Sequence, residues 1–466
     1  MNLFSATLLK FAPLTSLAAL TILGCTANAQ QVALAPPSEV LDIYNIASEP
    51  SPTRIFNDIQ TLVDFGTRHT LSETQSDTQG IGAARRWIFS EFEAISKDCG
   101  GCLEVMYISD TISGENRIPE PTDVVSVIAI QRGISDPNRF VMMSGDIDSR
   151  VTDPLDGVSE SPGANDNASG MAGTIEAARI LSKRKFAGSI IYAGLSGEEQ
   201  GLFGGQIVAK HALNVGWEIK GVINNDMISN ISGIDGVIDN STVRVFSEGT
   251  RATETEAEAR LRRFTGGEVD SPSRNLARYI KKMGDQYLTN LDIMMVYRLD
   301  RFRRGGHHRP FNEVGIPGVR IMETHEHYDR QHQDLRREDG ITYGDTIEGV
   351  DKHYAAKLTA LNAVTLAGMA GAPPFPANVE ASGAVQPSAK LAWERPSGKR
   401  AENLMGYRVH WRLTTEPEWT HSRYVGDVSE WEFTNLVIDN YFFGVSAVAK
   451  DGSETPVVFP GPAGRF

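Results

Sequence analysis

The 466-residue chain reads as an α/β protein, a mostly parallel mixed sheet flanked by helices, followed by a smaller all-β sandwich. Three observations carry this reading. From Phe140 to Ala370, apolar runs of strand length alternate with stretches of helical spacing, the pattern of strands joined through helices. Three of those runs stop at carboxylates followed by Gly, Ser or Asn: FVMMSGDIDSR (140–150) leading to PGANDNASG (162–170), SIIYAGLSGEEQGLFGG (189–205) and GVINNDMIS (221–229). After Ala370 the composition changes to a Pro-rich stretch, GAPPFPANVEASG, and then to short alternating segments.

Taken in order, residues 1–29 read as an export signal. The first thirty residues hold one Lys and no acid, with an apolar run from Leu14 to Gly24 that is short for a membrane span. Ala27-Asn28-Ala29 offers a small-x-small cleavage site, and Leu23-Gly24-Cys25 offers a lipid-anchor site at Cys25 instead. Either way the chain is expected outside the cytoplasm, periplasmic or extracellular. Export bears on Cys99 and Cys102, whose spacing in an oxidising compartment predicts a local disulfide. No second CxxC supports a zinc or redox site there.

Val40–Ile46, Ile55–Phe65 and Gly80–Phe92 have helical spacing, and Leu103–Ile108 and Val124–Gln131 read as strands. Further strand signals at Phe140, Ile190, Gly221, Val243, Ile293 and Gly318 alternate with helices near 170–182, 204–214, 273–282 and 354–370. The charged stretch 253–268 reads as a solvated helix ending at Gly266-Gly267. Residues 30–371 thus form the first domain. In 372–466, segments 391–396, 407–415, 431–437 and 441–452 predict a sandwich cored by Trp393, Trp411 and Trp431, in an order similar to a fibronectin type III domain. It carries no acid or His cluster, which suggests adhesion, spacing or substrate presentation. A formal charge of −14, with 41% apolar residues, argues against an electrostatic nucleic-acid binder.

The chemistry is expected where the strands end, since ligands of such sheets bind beyond the carboxyl ends of the strands. A single Asp before a helix, as Asp166 stands, is ordinarily a cap, and an EE pair such as Glu198-Glu199 is common on exposed helices. Several acids on one rim repel one another, however, and divalent cations are the usual reason to keep them together. Adjacent carboxylates in a turn can divide the work, one binding metal and one serving as base. Asp226 ends a buried strand, where an unpaired carboxylate is costly. Half of the ten histidines, 307, 308, 325, 327 and 332, crowd into one short region.

In their order, DxDS (146–149), GANDNASG (163–170), GEEQGLFG (197–204), NxD (224–226), GIPxVR (315–320) and Tyr328-x-x-x-His332, these motifs resemble the co-catalytic di-zinc aminopeptidases, a family that includes glutamate carboxypeptidases and glutaminyl cyclases. The resemblance covers residues 55–370. It implies peptide substrates, a zinc exopeptidase fold and two divalent metal ions bridged by Asp166. Glu199 and His332 complete one metal, Asp226 serves the other, and Glu198 is the general base toward a metal-bridging hydroxide. Asp148 becomes a supporting carboxylate that steers residue 146. At that position the family usually has His where this chain has Asp146, so Asp146 is the expected ligand, with manganese or magnesium as alternatives to zinc there. The family also often has Asp-His before Pro-Phe where this chain has His307-His308. The resemblance favours an aminopeptidase. A carboxypeptidase or dipeptidase of the same fold is the alternative, and a carboxypeptidase would need a cationic clamp, for which Arg150, Arg301, Arg303 and Arg304 are candidates. A different reading is a secreted binding protein that lost activity through Asp146.

Overall fold

A computed structural model describes residues 34–466, which form one compact unit. The expected export signal and Cys25 lie outside the described residues.

Helices α1 (Leu41–Ser48), α2 (Pro52–Val63) and α3 (Gly80–Asp98) open the fold. α2 starts cleanly because Ser51 accepts a hydrogen bond from the Arg54 amide and Pro52 fits the first turn. Cys99 and Cys102 are bonded to each other in the turn after α3. The chain then enters the antiparallel pair β1 (Leu103–Ile112) and β2 (Thr122–Gln131), followed by β3 (Asp136–Asp146). Next come α4 (Gly170–Leu181), β4 (Gly188–Leu195), α5 (Phe203–Val215), β5 (Glu218–Asn225) and β6 (Thr242–Ser247). The solvated helix α6 (Glu256–Thr265) has no buried residue and is held by a capping box between Thr255 and Glu258. α7 (Pro272–Tyr287), β7 (Asp292–Val296), α8 (His308–Glu313) and β8 (Gly318–Glu323) complete the main sheet. A small hairpin, β9 (Arg336–Glu338) and β10 (Ile341–Tyr343), precedes the long helix α9 (Lys352–Gly371).

The eight strands lie in the order β1-β2-β4-β3-β5-β8-β6-β7. β4, β3, β5 and β8 run parallel at the centre, while β2 joins β4 and β6 joins β8 antiparallel. β4 is buried along its whole length, as a central parallel strand covered on both faces should be. Alternation sorts its side chains: Ile190 and Tyr192 face the core under α2, α4 and α9, and Ile191 and Ala193 face the core under α5 and α8. A fully buried Ile of this kind contributes about 1.5–3 kcal/mol. Among the described residues no helix is long and apolar enough to cross a membrane.

The C-terminal strands form two antiparallel sheets. One is β11 (Ala377–Ser382), β12 (Ala389–Glu394) and β15 (Glu430–Phe433); the other is β14 (His421–Gly426), β13 (Leu404–Leu413) and β16 (Tyr441–Ala449). Trp393 is buried against Tyr407 in a core separate from that of the main sheet, and Trp411 and Trp431 pack against its margin. Charged contacts join this region to α7 and the turn before it. The Arg412 guanidinium donates to both Asp270 oxygens at 2.7 and 2.9 Å, Arg278 donates to Asp270 at 2.8 Å, and Lys282 reaches Glu454 at 2.7 Å.

Candidate metal centre

The acidic motifs converge because their strands are neighbours. Asp146 ends β3, Glu198 and Glu199 follow β4, and Asp226 follows β5, so all four lie at the carboxyl edge of adjacent parallel strands. The backbones there are pressed together. A Cβ on Gly145 would stand 2.3 Å from the Gly170 carbonyl carbon, and one on Gly170 would stand 2.3 Å from the Asn225 carbonyl oxygen. This contact brings the start of α4, and with it the Asp166 segment, against the ends of β3 and β5.

Asp166 is set by its neighbours before it can hold anything. Its amide donates to Asp345 Oδ2 at 2.6 Å, and the Asn165 amide donates to the same carboxylate at 3.0 Å. Asp148 plays a comparable part for the glutamates: it accepts from the Glu198 and Glu199 amides at 3.1 and 3.0 Å and from Thr70 Oγ1 at 3.2 Å. Its carboxylate therefore shapes the glutamate turn.

His332 comes from the excursion between β8 and β9, where its φ of +55° is a left-handed backbone that few non-glycine residues adopt. His332 Nε2 lies 2.9 Å from Asp166 Oδ2 and 2.9 Å from Glu199 Oε1. These three side chains are the one set of metal-ligand type among the described residues whose donor atoms all lie within 4.8 Å of one another. Arg150 backs them, with Nε 2.7 Å from Glu199 Oε2 and Nη2 2.6 Å from His332 Nδ1.

The charges are strongly perturbed. Burial pushes the Asp166 carboxyl up, but the hydrogen bond and charge of His332 more than reverse this and hold it well below the carboxylate range. Burial pushes His332 down, and the charges of Glu199 and Asp166 lift it to about 9. Burial and then the neighbouring charges of Glu199, Asp226, Asp146 and Asp166 push Glu198 well up. Among the described residues Glu198 has no ion pair.

The remaining expected ligands are engaged elsewhere. Asp146 Oδ1 is 2.6 Å from His307 Nδ1, and its Oδ2 accepts from Asn167 Nδ2 at 2.7 Å. Asp226 Oδ2 is 2.6 Å from Arg320 Nη2, close enough for a strong charge contact, although no N–H of Arg320 is aligned on it as a hydrogen bond. Burial pushes both acids up to about 7, against the opposing charge of Arg320. His308 faces the Leu299 carbonyl at 2.8 Å, and His325 pairs with Asp235 at 2.8 Å. Sequence reasoning passed over Arg320, Asp345 and the Asp146–His307 contact. An Arg inside the apolar run GVRIMET was the available signal, since fully buried arginines are almost always paired.

Comparison with known proteins decides the family. The profile of peptidase family M28 matches residues 126–350. Over 425 residues the chain is 40% identical to a "Probable zinc metalloprotease" of Pyricularia oryzae, covering 90% of this chain and 84% of the relative. A similarly described protein of Leptosphaeria maculans is 40% identical over 432 residues, covering 92% and 99%. The chain belongs to peptidase family M28. Among solved structures, the LapA aminopeptidase of Legionella pneumophila superposes with a TM-score of 0.51 at 20% identity, covering 73% of this chain and 78% of that one, which shows a shared fold.

In this M28 zinc metallopeptidase, Asp166, Glu199 and His332 fit a zinc ion: one imidazole and two carboxylates, converging beside the Glu198 carboxylate, which lies outside the set. The residues expected to hold a second ion do not assemble into a comparable set among the described residues.

Proposed function

We propose that the chain is an exported exopeptidase that removes the N-terminal residue of peptides, with Glu198 as general base. The observation that carries this is the Glu198 carboxylate, free of ion pairs among the described residues, next in sequence to the candidate ligand Glu199 and fixed by Asp148 through its own amide. Asp166, Glu199 and His332 would hold the zinc ion, which when bound would supply Lewis acidity to the reaction. Glu198 takes the proton from the attacking water and returns it to the leaving amine. Its raised proton affinity suits the second half of that task, in which the carboxylic acid must protonate a nitrogen.

An N-terminal rather than C-terminal specificity is supported by where the arginines are spent. A carboxypeptidase needs a guanidinium free to clamp the substrate carboxylate. Three of the four candidates are engaged by acids: Arg150 is held by Glu199, and Arg301 and Arg304 both reach Glu326; Arg303 is exposed beside Phe302. The acidic rim suits a protonated α-amino group instead. Export rests on the N-terminal sequence, and the sandwich is assigned to spacing or substrate presentation.

The test is hydrolysis of aminoacyl anilides beside their N-acetylated counterparts. Cleavage of the free-amine forms alone is expected. Cleavage of the acetylated forms, or release of residues from the C-terminus of a peptide, would sink the N-terminal reading.

A further inference from the structure

Asp146, at the end of β3, and His307, just before α8, touch each other. His307 Nδ1 lies 2.6 Å from Asp146 Oδ1, and both residues are buried. With Asp146 ionised, the contact places the imidazole proton on Nδ1, where it donates to the carboxylate. Asn167 Nδ2 donates to the other oxygen at 2.7 Å, so each oxygen of Asp146 already serves a partner within the protein.

Asp226 is neutralised differently. Arg320 on β8 is fully buried, with Nη2 2.6 Å from Asp226 Oδ2 and Nη1 3.3 Å from each oxygen of Asp300, and Nη1 donates to the Gly305 carbonyl at 2.8 Å. A guanidinium is permanently charged and weakly hydrated, so it can stay in this interior where a free cation would need a full set of ligands. It already supplies the positive charge that Asp226 and its acidic neighbours require, and a divalent ion added against the same carboxylate would meet it at close range.

We propose that this chain holds one zinc ion, at Asp166, Glu199 and His332, and that the place of a second ion is closed by the Asp146–His307 pair with Arg320 supplying the compensating charge. The proposal rests on the metallopeptidase reading above. Two buried atoms at this place, Asp226 Oδ1 and His307 Nε2, have no hydrogen-bond partner among the described residues. Neither atom belongs to a set of three metal-ligand groups among the described residues.

The experiment is a metal count on the full chain. The protein is stripped with chelator, equilibrated with excess zinc, desalted and measured by elemental analysis, with anomalous diffraction at the zinc edge to place the ions. One ion per chain is expected, at His332, and none in His332→Ala. Two ions per chain, or density beside Asp226 and His307, would overturn the proposal. The double exchange Asp146→His with His307→Asp should raise the count from one to two. A folded double variant that still binds one ion would overturn the role given to this pair. If the exchange does not fold, the wild-type count and map decide alone. Anilide hydrolysis on the same samples is a separate reading: activity with two ions rejects the one-ion proposal and keeps the peptidase, whereas one ion without activity does the reverse.

Discussion

Glu198 and Glu199 are neighbours in the chain but face different work. Glu199 is tied to His332 and Arg150, and among the described residues Glu198 is tied to no cation. Glu198→Gln should therefore leave the zinc content unchanged while kcat falls by about 10²–10⁴, the usual range for loss of a general base. Elemental analysis and anilide hydrolysis on one preparation check both halves. Glu199→Gln should instead lose zinc and activity together. The acids were legible in the sequence because each follows an apolar run and precedes Gly, Ser or Asn, a pattern set by local strand ends. Arg320 was not, because its meaning depends on Asp226, which follows the adjacent strand β5 and lies 94 positions earlier in the chain, a separation no local pattern encodes. Asp146 read as a ligand because its type permits it, and only the folded chain reveals that His307 and Asn167 hold its two oxygens.

The elements around the site leave little room for change. Gly170→Ala would drive a Cβ to 2.3 Å from the Asn225 carbonyl, so β5 or α4 must shift. Overpacking of this kind costs about 1–3 kcal/mol or more. Denaturant unfolding should show that loss, and zinc affinity should fall with it because Asp166 moves with α4. The periodic elements were legible, from α3 to the buried strands of the main sheet. The small strands β11 and β14 were not. β11 follows a Pro-rich stretch, and β14 reads HSRYVG, polar and largely exposed, so it is a strand because β13 pairs with it rather than because of its own residues.

Across the whole molecule, the composition break after Ala370 announced a second region, but nothing in it announced how firmly that region docks. The docking is built from charge. Arg412 and Arg278 both bond Asp270, and all three are buried or nearly so. Arg412→Met leaves Asp270 with half its compensation. Breaking such a buried pair costs about 3–5 kcal/mol, which a thermal melt should register for the entire chain. Glu454 adds a pH dependence. Burial raises its carboxyl, but the charge of Lys282 and contact with His410 outweigh this and hold it well below the ordinary Glu value. A carboxylate depressed in the folded state stabilises fully above its unfolded value of about 4.3, and that contribution drains away as pH falls below it. Glu454→Gln should lower Tm at pH 7, with the gap to wild type closing below about pH 4.

The excursion from β8 to α9 carries both a proposed zinc ligand and a clamp. His332 stands at its start and Asp345, which grips the Asp166 amide, stands near its end, with the exposed hairpin bearing Arg336 and Arg337 between them. Zinc bound at His332 and the Asp345 clamp would therefore pin the two sides of one exposed, arginine-bearing segment. Cleavage after Arg336 or Arg337 should be slow in the zinc-loaded protein and quicken when a chelator frees one end, so a timed digest on a gel becomes a gauge of occupancy that needs no substrate.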